Sequence, residues 1–169
     1  QAIGGVVGNG RIDQYLYPYY RRDIDEGRLT DDEALVLLES IWIGMARSTD
    51  VYAKPGQPSL TDGFAHWEAT TIGGLTPDGH DASNELSYLI LRSKREFPLH
   101  YPDLAARIHT RTPNAFLHAV CETIKDGSGF PKLFCDDEII PLLVAKGGSM
   151  EEANDYCVTG CSETKMLNR

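Results

Sequence analysis

The feature that most restricts the fold of this chain is the alternation of short β-prone segments with helical ones in its second half. Residues 104–110, LAARIHT, are typical of a strand. A helical pattern follows, in which Thr112 is the expected N-cap, Pro113 the first helical residue and Gly127 the residue beyond the last turn. Strands that alternate with helices predict an α/β fold with a parallel sheet.

The same order recurs towards the end of the chain. An extended segment at residues 132–135 precedes an acidic helix start at residues 136–138, and this helix should be kinked or restarted by Pro141. In parallel α/β folds, functional residues gather on the loops that leave the carboxyl ends of the strands. The segment VTGCSE, residues 158–163, is a candidate for such a loop.

Two amphipathic helices are predicted earlier in the chain. Thr30 and Glu33 form a capping box before a helix whose apolar positions include Trp42, which we expect in the core. Asp81 is the expected cap of a second helix over residues 84–97. The glycine-rich residues 1–13 are typical of a loop entered midway.

Composition and charge restrict the class of protein. The 169 residues suit one domain with a sizeable core, and a net charge of -9 argues against nucleic-acid or anionic-membrane partners. No apolar run approaches the roughly 18 to 20 residues that span a membrane. Four scattered cysteines do not form the disulfide framework of a small secreted domain, so the cytoplasm is the expected compartment.

The segment DYCVTGCSET, residues 155–164, combines a thiol and a carboxylate. Gly160 permits a tight backbone approach, and in an extended segment Cys161 and Glu163 would point to the same face. A neighbouring carboxylate disfavours the thiolate. A thiol kept protonated can instead exchange a hydrogen atom while the carboxylate moves a proton on the same substrate. The alternative is a structural cysteine beside an unrelated glutamate.

The other reactive side chains have alternative interpretations. Cys157 and Cys161 could bind a metal, although no second ligand pair lies nearby in the sequence. The five histidines show no ligand spacing. The acids at residues 136–138 are explained by the dipole of the helix that they begin. Cys121 is expected to be an inert, packed thiol.

Several independent blocks, in a fixed order, resemble the glycyl radical enzyme family, the relatives of pyruvate formate-lyase. These blocks cover nearly the whole chain and are LTDDEALVLLESIWIGM, IGGLTPDGHDASNELSYLIL, RIHTRTPNAFLHAVCETIKDGSGFPKLFCDDEII and ANDYCVTGCSE. The resemblance implies an α/β fold that is part of a ten-stranded α/β barrel, in which a finger loop carries the active cysteine into the centre.

The resemblance also implies roles for three residues. Cys161 matches the cysteine that becomes a thiyl radical, and Glu163 matches the carboxylate base of the eliminating and decarboxylating branches. Trp67 lies where the family has an aromatic pocket residue, and tryptophan there resembles the sulfonate-cleaving branch. Ser162 stands where dehydratases and the choline lyase usually have valine. The implied function is a lyase, with carbon–sulfur cleavage of a sulfonate such as isethionate favoured over dehydration, carbon–nitrogen cleavage or arylacetate decarboxylation.

The chain is expected to be one part of a larger enzyme. Residues 1–169 are interpreted as a partial barrel domain that ends just after the finger loop, without the carboxyl-terminal glycyl radical domain. No bound cofactor is implied; the protein-based glycyl radical would be installed by a radical S-adenosylmethionine activating enzyme. The implied partners are that enzyme, a small-molecule substrate and, when full-length, a second subunit, in the cytoplasm or a bacterial microcompartment. A non-catalytic binding or assembly piece is the alternative of a different class.

Overall fold

The computed structural model describes residues 7–47 and 68–167, and the structural statements below concern these two ranges. Four parallel strands form one sheet in the order β1-β2-β3-β4. The strands are β1 Val7–Arg11, β2 Glu68–Gly73, β3 Asp103–Ile108 and β4 Lys132–Cys135. Their parallel pairing confirms the predicted α/β class.

The glycine-rich start of the chain was expected to be a loop, and that expectation is wrong from Val7 onwards. β1 is a strand whose Gly8 packs against a later segment: a Cβ on Gly8 would lie 2.4 Å from Thr159 Cγ2. The glycine is therefore explained by close backbone approach within a strand rather than by a turn.

Seven helices and a β-hairpin complete the described part of the chain. The helices are α1 Ile12–Tyr15, α2 Tyr17–Asp25, α3 Asp31–Ala46, α4 Glu85–Glu96, α5 Asn114–Lys125, α6 Asp136–Ala145 and α7 Met150–Asn154. The hairpin consists of β5 Tyr156–Thr159 and β6 Glu163–Met166, paired antiparallel. Among the residues described, no helix is long and apolar enough to cross a membrane.

The start of α3 matches its sequence prediction, whereas the start of α4 does not. Thr30 and Glu33 form the capping box of α3, and Trp42 is fully buried in the core, as expected. The cap of α4 is Asn84 and not Asp81. Asp81 accepts one hydrogen bond from Ser83 and pairs with His109, so both of its oxygens have partners outside the helix.

Two further helix predictions are corrected. Pro113 occupies the N-cap position of α5 and not the first helical position, and the hydroxyl of Thr112 accepts a hydrogen bond from the backbone N–H of His109. Pro141 lies inside α6, which continues through it, so the restart is wrong and the kink stays a prediction. Cys121, expected to be packed, is exposed on α5.

The two faces of the sheet are covered by different elements. Leu104 and Ala106 of β3 pack into the core that contains α3, α4 and α5. Ala105, between them, packs with Tyr156 and Val158 of β5 and with α6. Because side chains alternate along a strand, the hairpin lies on the face opposite to α3, α4 and α5.

Strand β5 runs opposite to the strands of the sheet. Its first residue, Tyr156, accepts a hydrogen bond through its carbonyl from Arg107, near the carboxyl end of β3. Its last residue, Thr159, contacts Gly8 near the amino end of β1. The turn after β5 therefore lies at the amino ends of the strands, and the expectation that VTGCSE leaves a carboxyl end is wrong.

Candidate active site

The candidate site is the three-residue turn that joins β5 to β6. Gly160, Cys161 and Ser162 form the turn, and Gly160 has a φ of 55°, a left-handed conformation that favours glycine. Cys161, Ser162 and Glu163 are all exposed. Cys161 belongs to the turn and not to an extended strand, so alternation along a strand does not relate it to Glu163.

A different interaction brings the two candidate residues together. Glu163 Oε2 accepts hydrogen bonds from the backbone N–H of Cys161 at 3.0 Å and of Ser162 at 3.1 Å. The N–H of Ser162 is the largest cause that lowers the pKa of Glu163, and Lys132 contributes a smaller electrostatic effect. The side chain is thus a carboxylate at neutral pH, and the hydrogen bonds from Cys161 and Ser162 both go to Oε2 and not to Oε1. That oxygen can accept a proton from a ligand.

The base of the hairpin is fixed by a buried ion pair that the sequence interpretation missed. Arg107 and Asp136 are both fully buried, with Nε to Oδ1 at 2.9 Å and Nη2 to Oδ2 at 2.8 Å. Arg107 also donates to the carbonyls of Asn154 and Tyr156, at 2.8 and 2.7 Å. Its guanidinium lies 3.8 Å from the centre of the Tyr156 ring. One buried arginine therefore holds the residues that lead into β5.

Asp136 was explained at first by the dipole of α6, and that explanation is incomplete. Its carboxylate accepts four hydrogen bonds, because Tyr156 Oη and the backbone N–H of Leu75 donate in addition to Arg107. The arginine inside the otherwise apolar stretch LAARI, residues 104–108, is the sequence signal from which a buried ion pair could have been predicted. A buried arginine requires a partner, and Asp136, which directly follows the next strand along the chain, supplies it.

A second arginine ties the same segment to β1. Arg11 donates to Asp155 Oδ1 at 2.7 Å and to the carbonyl of Gly73 at 3.0 Å. It also lines a groove of about 530 Å³ between β1 and the end of the hairpin. The segment before β5 is thus held from two strands of the sheet.

The remaining candidate residues are Trp67 and Cys157. Trp67 lies outside the described residues. Cys157 is buried, and burial raises the pKa of its thiol, which opposes the thiolate that a metal would need. Within residues 7–47 and 68–167, no group of three metal-ligating side chains is found.

Comparisons with known proteins identify relatives across the whole length of the chain. The profile of a family described as Pyruvate formate lyase-like matches residues 3–169. Isethionate sulfite-lyase of Oleidesulfovibrio alaskensis is 62% identical over 169 residues, which are 100% of this chain and 20% of that protein. (2S)-3-sulfopropanediol dehydratase of Klebsiella oxytoca is 34% identical over 170 residues, again 100% of this chain and 20% of that protein.

Solved structures show the same relationship. The glycerol-bound, B12-independent glycerol dehydratase from Clostridium butyricum superposes with a TM-score of 0.86 at 34% identity, over 94% of this chain and 20% of that chain. A glycyl radical enzyme from Archaeoglobus fulgidus gives 0.81 at 32% identity, over 96% and 21%. The predicted part of a glycyl radical enzyme barrel is confirmed, and the chain spans about a fifth of these relatives. The chain therefore belongs to the pyruvate formate lyase-like family of glycyl radical enzymes.

Proposed function

We propose that this chain is the cysteine-bearing part of a glycyl radical lyase that cleaves the carbon–sulfur bond of isethionate. The observation that carries this proposal is the difference in identity between relatives. The chain is 62% identical to an isethionate sulfite-lyase but 34% identical to a dehydratase that acts on another sulfonate. Both alignments span the whole chain, so the difference is not one of coverage.

Cys161 and Glu163 have complementary roles in the proposed reaction. The thiol hydrogen atom of Cys161 is removed by the glycyl radical, which would lie on a glycine outside residues 1–169. The Cys161 sulfur then takes a hydrogen atom from the carbon that bears the substrate hydroxyl. Glu163 accepts the hydroxyl proton, the carbon–sulfur bond breaks, and sulfite leaves with the bonding electron pair. The thiol returns its hydrogen atom to the remaining carbon, so isethionate yields acetaldehyde and bisulfite without net oxidation.

The described geometry is compatible with these roles. The Cys161 turn is exposed in this chain, so a glycine-bearing segment and a substrate can both approach it. The lowered pKa of Glu163 keeps its side chain deprotonated at neutral pH, which is the form that a base needs. Trp67 is proposed as a wall of the substrate pocket.

The remaining partners follow from the family relationship. A radical S-adenosylmethionine activating enzyme is proposed to install the glycyl radical in a homodimer, in the cytoplasm or a bacterial microcompartment. Support comes from the family match. The chain alone is expected to be inactive.

The test uses the full-length protein, activated without oxygen and supplied with isethionate. We expect a glycyl doublet by electron paramagnetic resonance and release of sulfite. Cys161→Ala should keep the doublet and release no sulfite, whereas the matched control Cys121→Ala, at an exposed cysteine of α5, should behave as wild type. Sulfite release by Cys161→Ala would refute the assignment of the thiol.

Other products would identify the alternative reactions. Loss of water, an amine or carbon dioxide from other substrates, with no sulfite from isethionate, would indicate a dehydratase, a carbon–nitrogen lyase or a decarboxylase. A full-length protein that forms no glycyl doublet would be a binding or assembly piece.

A further inference from the structure

The base and the tip of the Cys161 hairpin are held by different contacts. At the base, Arg107 binds the carbonyl of Tyr156, and the N–H of Val158 donates to Thr71 Oγ1 at 2.9 Å. At the tip, the hydrogen bonds from Cys161 and its neighbour to Glu163 lie within the turn and move with it. They shape the turn without fixing its position over the sheet.

One side chain of the sheet reaches the tip. Lys132, the first residue of β4, donates from Nζ to the carbonyl oxygen of Cys161 at 3.2 Å. This contact joins the residue that carries the thiol directly to the sheet. Since the thiol is one side chain away from that carbonyl, any drift of the carbonyl moves the sulfur by a similar distance.

Lys132 is itself restrained. Its ammonium pairs with Asp103, the first residue of the adjacent strand β3, and it lies 5.5 Å from the centre of the Phe130 ring. The side chain of Asp103 is 15% exposed and that of Lys132 is 37% exposed. A free lysine loses much conformational entropy when it holds one acceptor. The pair with Asp103 removes part of that freedom in advance.

The charge of Lys132 also acts on the second candidate residue. It contributes to the lowering of the Glu163 pKa, after the larger effect of the turn N–H groups. A single ammonium thus contacts the backbone of Cys161 and stabilises the carboxylate of Glu163.

We propose that Lys132, held by Asp103, is a positioning residue that sets the place of the Cys161 sulfur in the reaction. This inference rests on the proposed function. Lys132 does not touch the reacting atoms; it fixes the carbonyl of Cys161 over the amino ends of β3 and β4. Hydrogen-atom transfer needs short donor–acceptor distances, and a displacement of about 1 Å at a reacting group costs about a hundredfold in rate.

The first experiment measures turnover in the activated full-length protein. We expect Lys132→Met to retain the glycyl doublet and the KM for isethionate while kcat falls about tenfold to a hundredfold. The deuterium isotope effect on kcat, with isethionate deuterated at the hydroxyl-bearing carbon, should rise because hydrogen transfer becomes slower. Lys132→Arg, which keeps a cationic donor, should restore most of kcat. The matched control is Lys165→Met, which removes the same charge from an exposed position of β6 in the same hairpin.

A loss of folded protein alone would lower activity and doublet together and leave the isotope effect unchanged. That outcome, or a kcat for Lys132→Met equal to that of Lys165→Met, would overturn the positioning role. Amide hydrogen exchange of residues 160–163 provides a measurement that needs no turnover. It should accelerate in Lys132→Met and not in Lys165→Met.

The two proposals fail in different ways. A wild-type protein that cleaves no isethionate refutes the proposed function, whereas unchanged exchange in Lys132→Met refutes the role of Lys132 even if isethionate is cleaved. Accelerated exchange together with unchanged kcat also refutes it, because the sulfur would then not depend on the contact.

Discussion

Replacing Tyr156 with phenylalanine tests how much the buried ion pair contributes to holding the hairpin. The substitution removes Oη, which donates to Asp136 Oδ1 at 2.8 Å in a fully buried site. It keeps the ring that packs against the guanidinium of Arg107. The change therefore isolates one of the four hydrogen bonds that the Asp136 carboxylate accepts.

The magnitude follows from the charge and burial of the acceptor. A hydrogen bond to a charged group contributes about 1.5–3 kcal/mol, and Asp136 would lose a donor in a place that water does not reach. We expect the free energy of unfolding to fall by about 2 kcal/mol. With a urea m-value of about 2 kcal/mol/M, the midpoint of urea unfolding of the chain falls by about 1 M.

Tyr17→Phe is the matched control. Tyr17 Oη also donates to a carboxylate, Glu85 Oε2, at 2.5 Å, but this pair is at the surface, where water replaces the lost donor. Its loss should change the midpoint little. If Tyr156→Phe shifts the midpoint no more than Tyr17→Phe does, the hydroxyl contributes nothing to the ion pair and the reasoning is refuted.

Three further predictions concern other described residues. Gly8→Ala should lower the free energy of unfolding in urea by about 1–3 kcal/mol, because the new Cβ would meet Thr159 Cγ2 at 2.4 Å. Adding Thr159→Ser to the same chain should recover part of the loss, and no recovery would refute that contact. Burial lowers the pKa of Lys94 to about 8 from 10.5, so the unfolded chain binds more protons between these values. The free energy of unfolding should then rise from pH 8 to 10 by at most about 3 kcal/mol, and a Lys94→Met variant that shows the same rise would exclude Lys94 as its source. Glu163→Gln should keep an oxygen for the turn N–H groups but abolish sulfite release. In the wild type, the fall of kcat/KM on the acid side should lie below pH 4.5, the usual pKa of a glutamate, because hydrogen bonds lower the pKa of Glu163. A fall centred above this pH would contradict the assignment of Glu163.

The sequence predicts elements whose signals are local. The capping box of Thr30 and Glu33 and the buried Trp42 are confirmed, because both depend on residues within one helix. The parallel sheet also follows from the alternation of strands and helices. β1 was missed since its glycines give no β propensity, and the reason for Gly8 is its packing against Thr159.

The contacts that hold the candidate site are not predicted by local sequence patterns. The turn and the proximity of Cys161 and Glu163 could be predicted, but the cause of that proximity is a carboxylate bound to turn N–H groups and not strand alternation. The contacts of Arg107 with Tyr156 and of Lys132 with Cys161 join residues 49 and 29 positions apart. Such partners are brought together only by the sheet topology.

The long sequence separation of the contacts that hold the hairpin has a consequence for the order in which this segment is assembled. The contacts that hold the hairpin reach back 49 residues to Arg107 and 144 residues to Arg11. Closing such long loops is entropically unfavourable until β1–β4 are in place. During synthesis from the amino end, the thiol-bearing turn is therefore the last described element to dock, onto a platform that already exists. The sulfur acquires its fixed surroundings only after the rest of this unit is built.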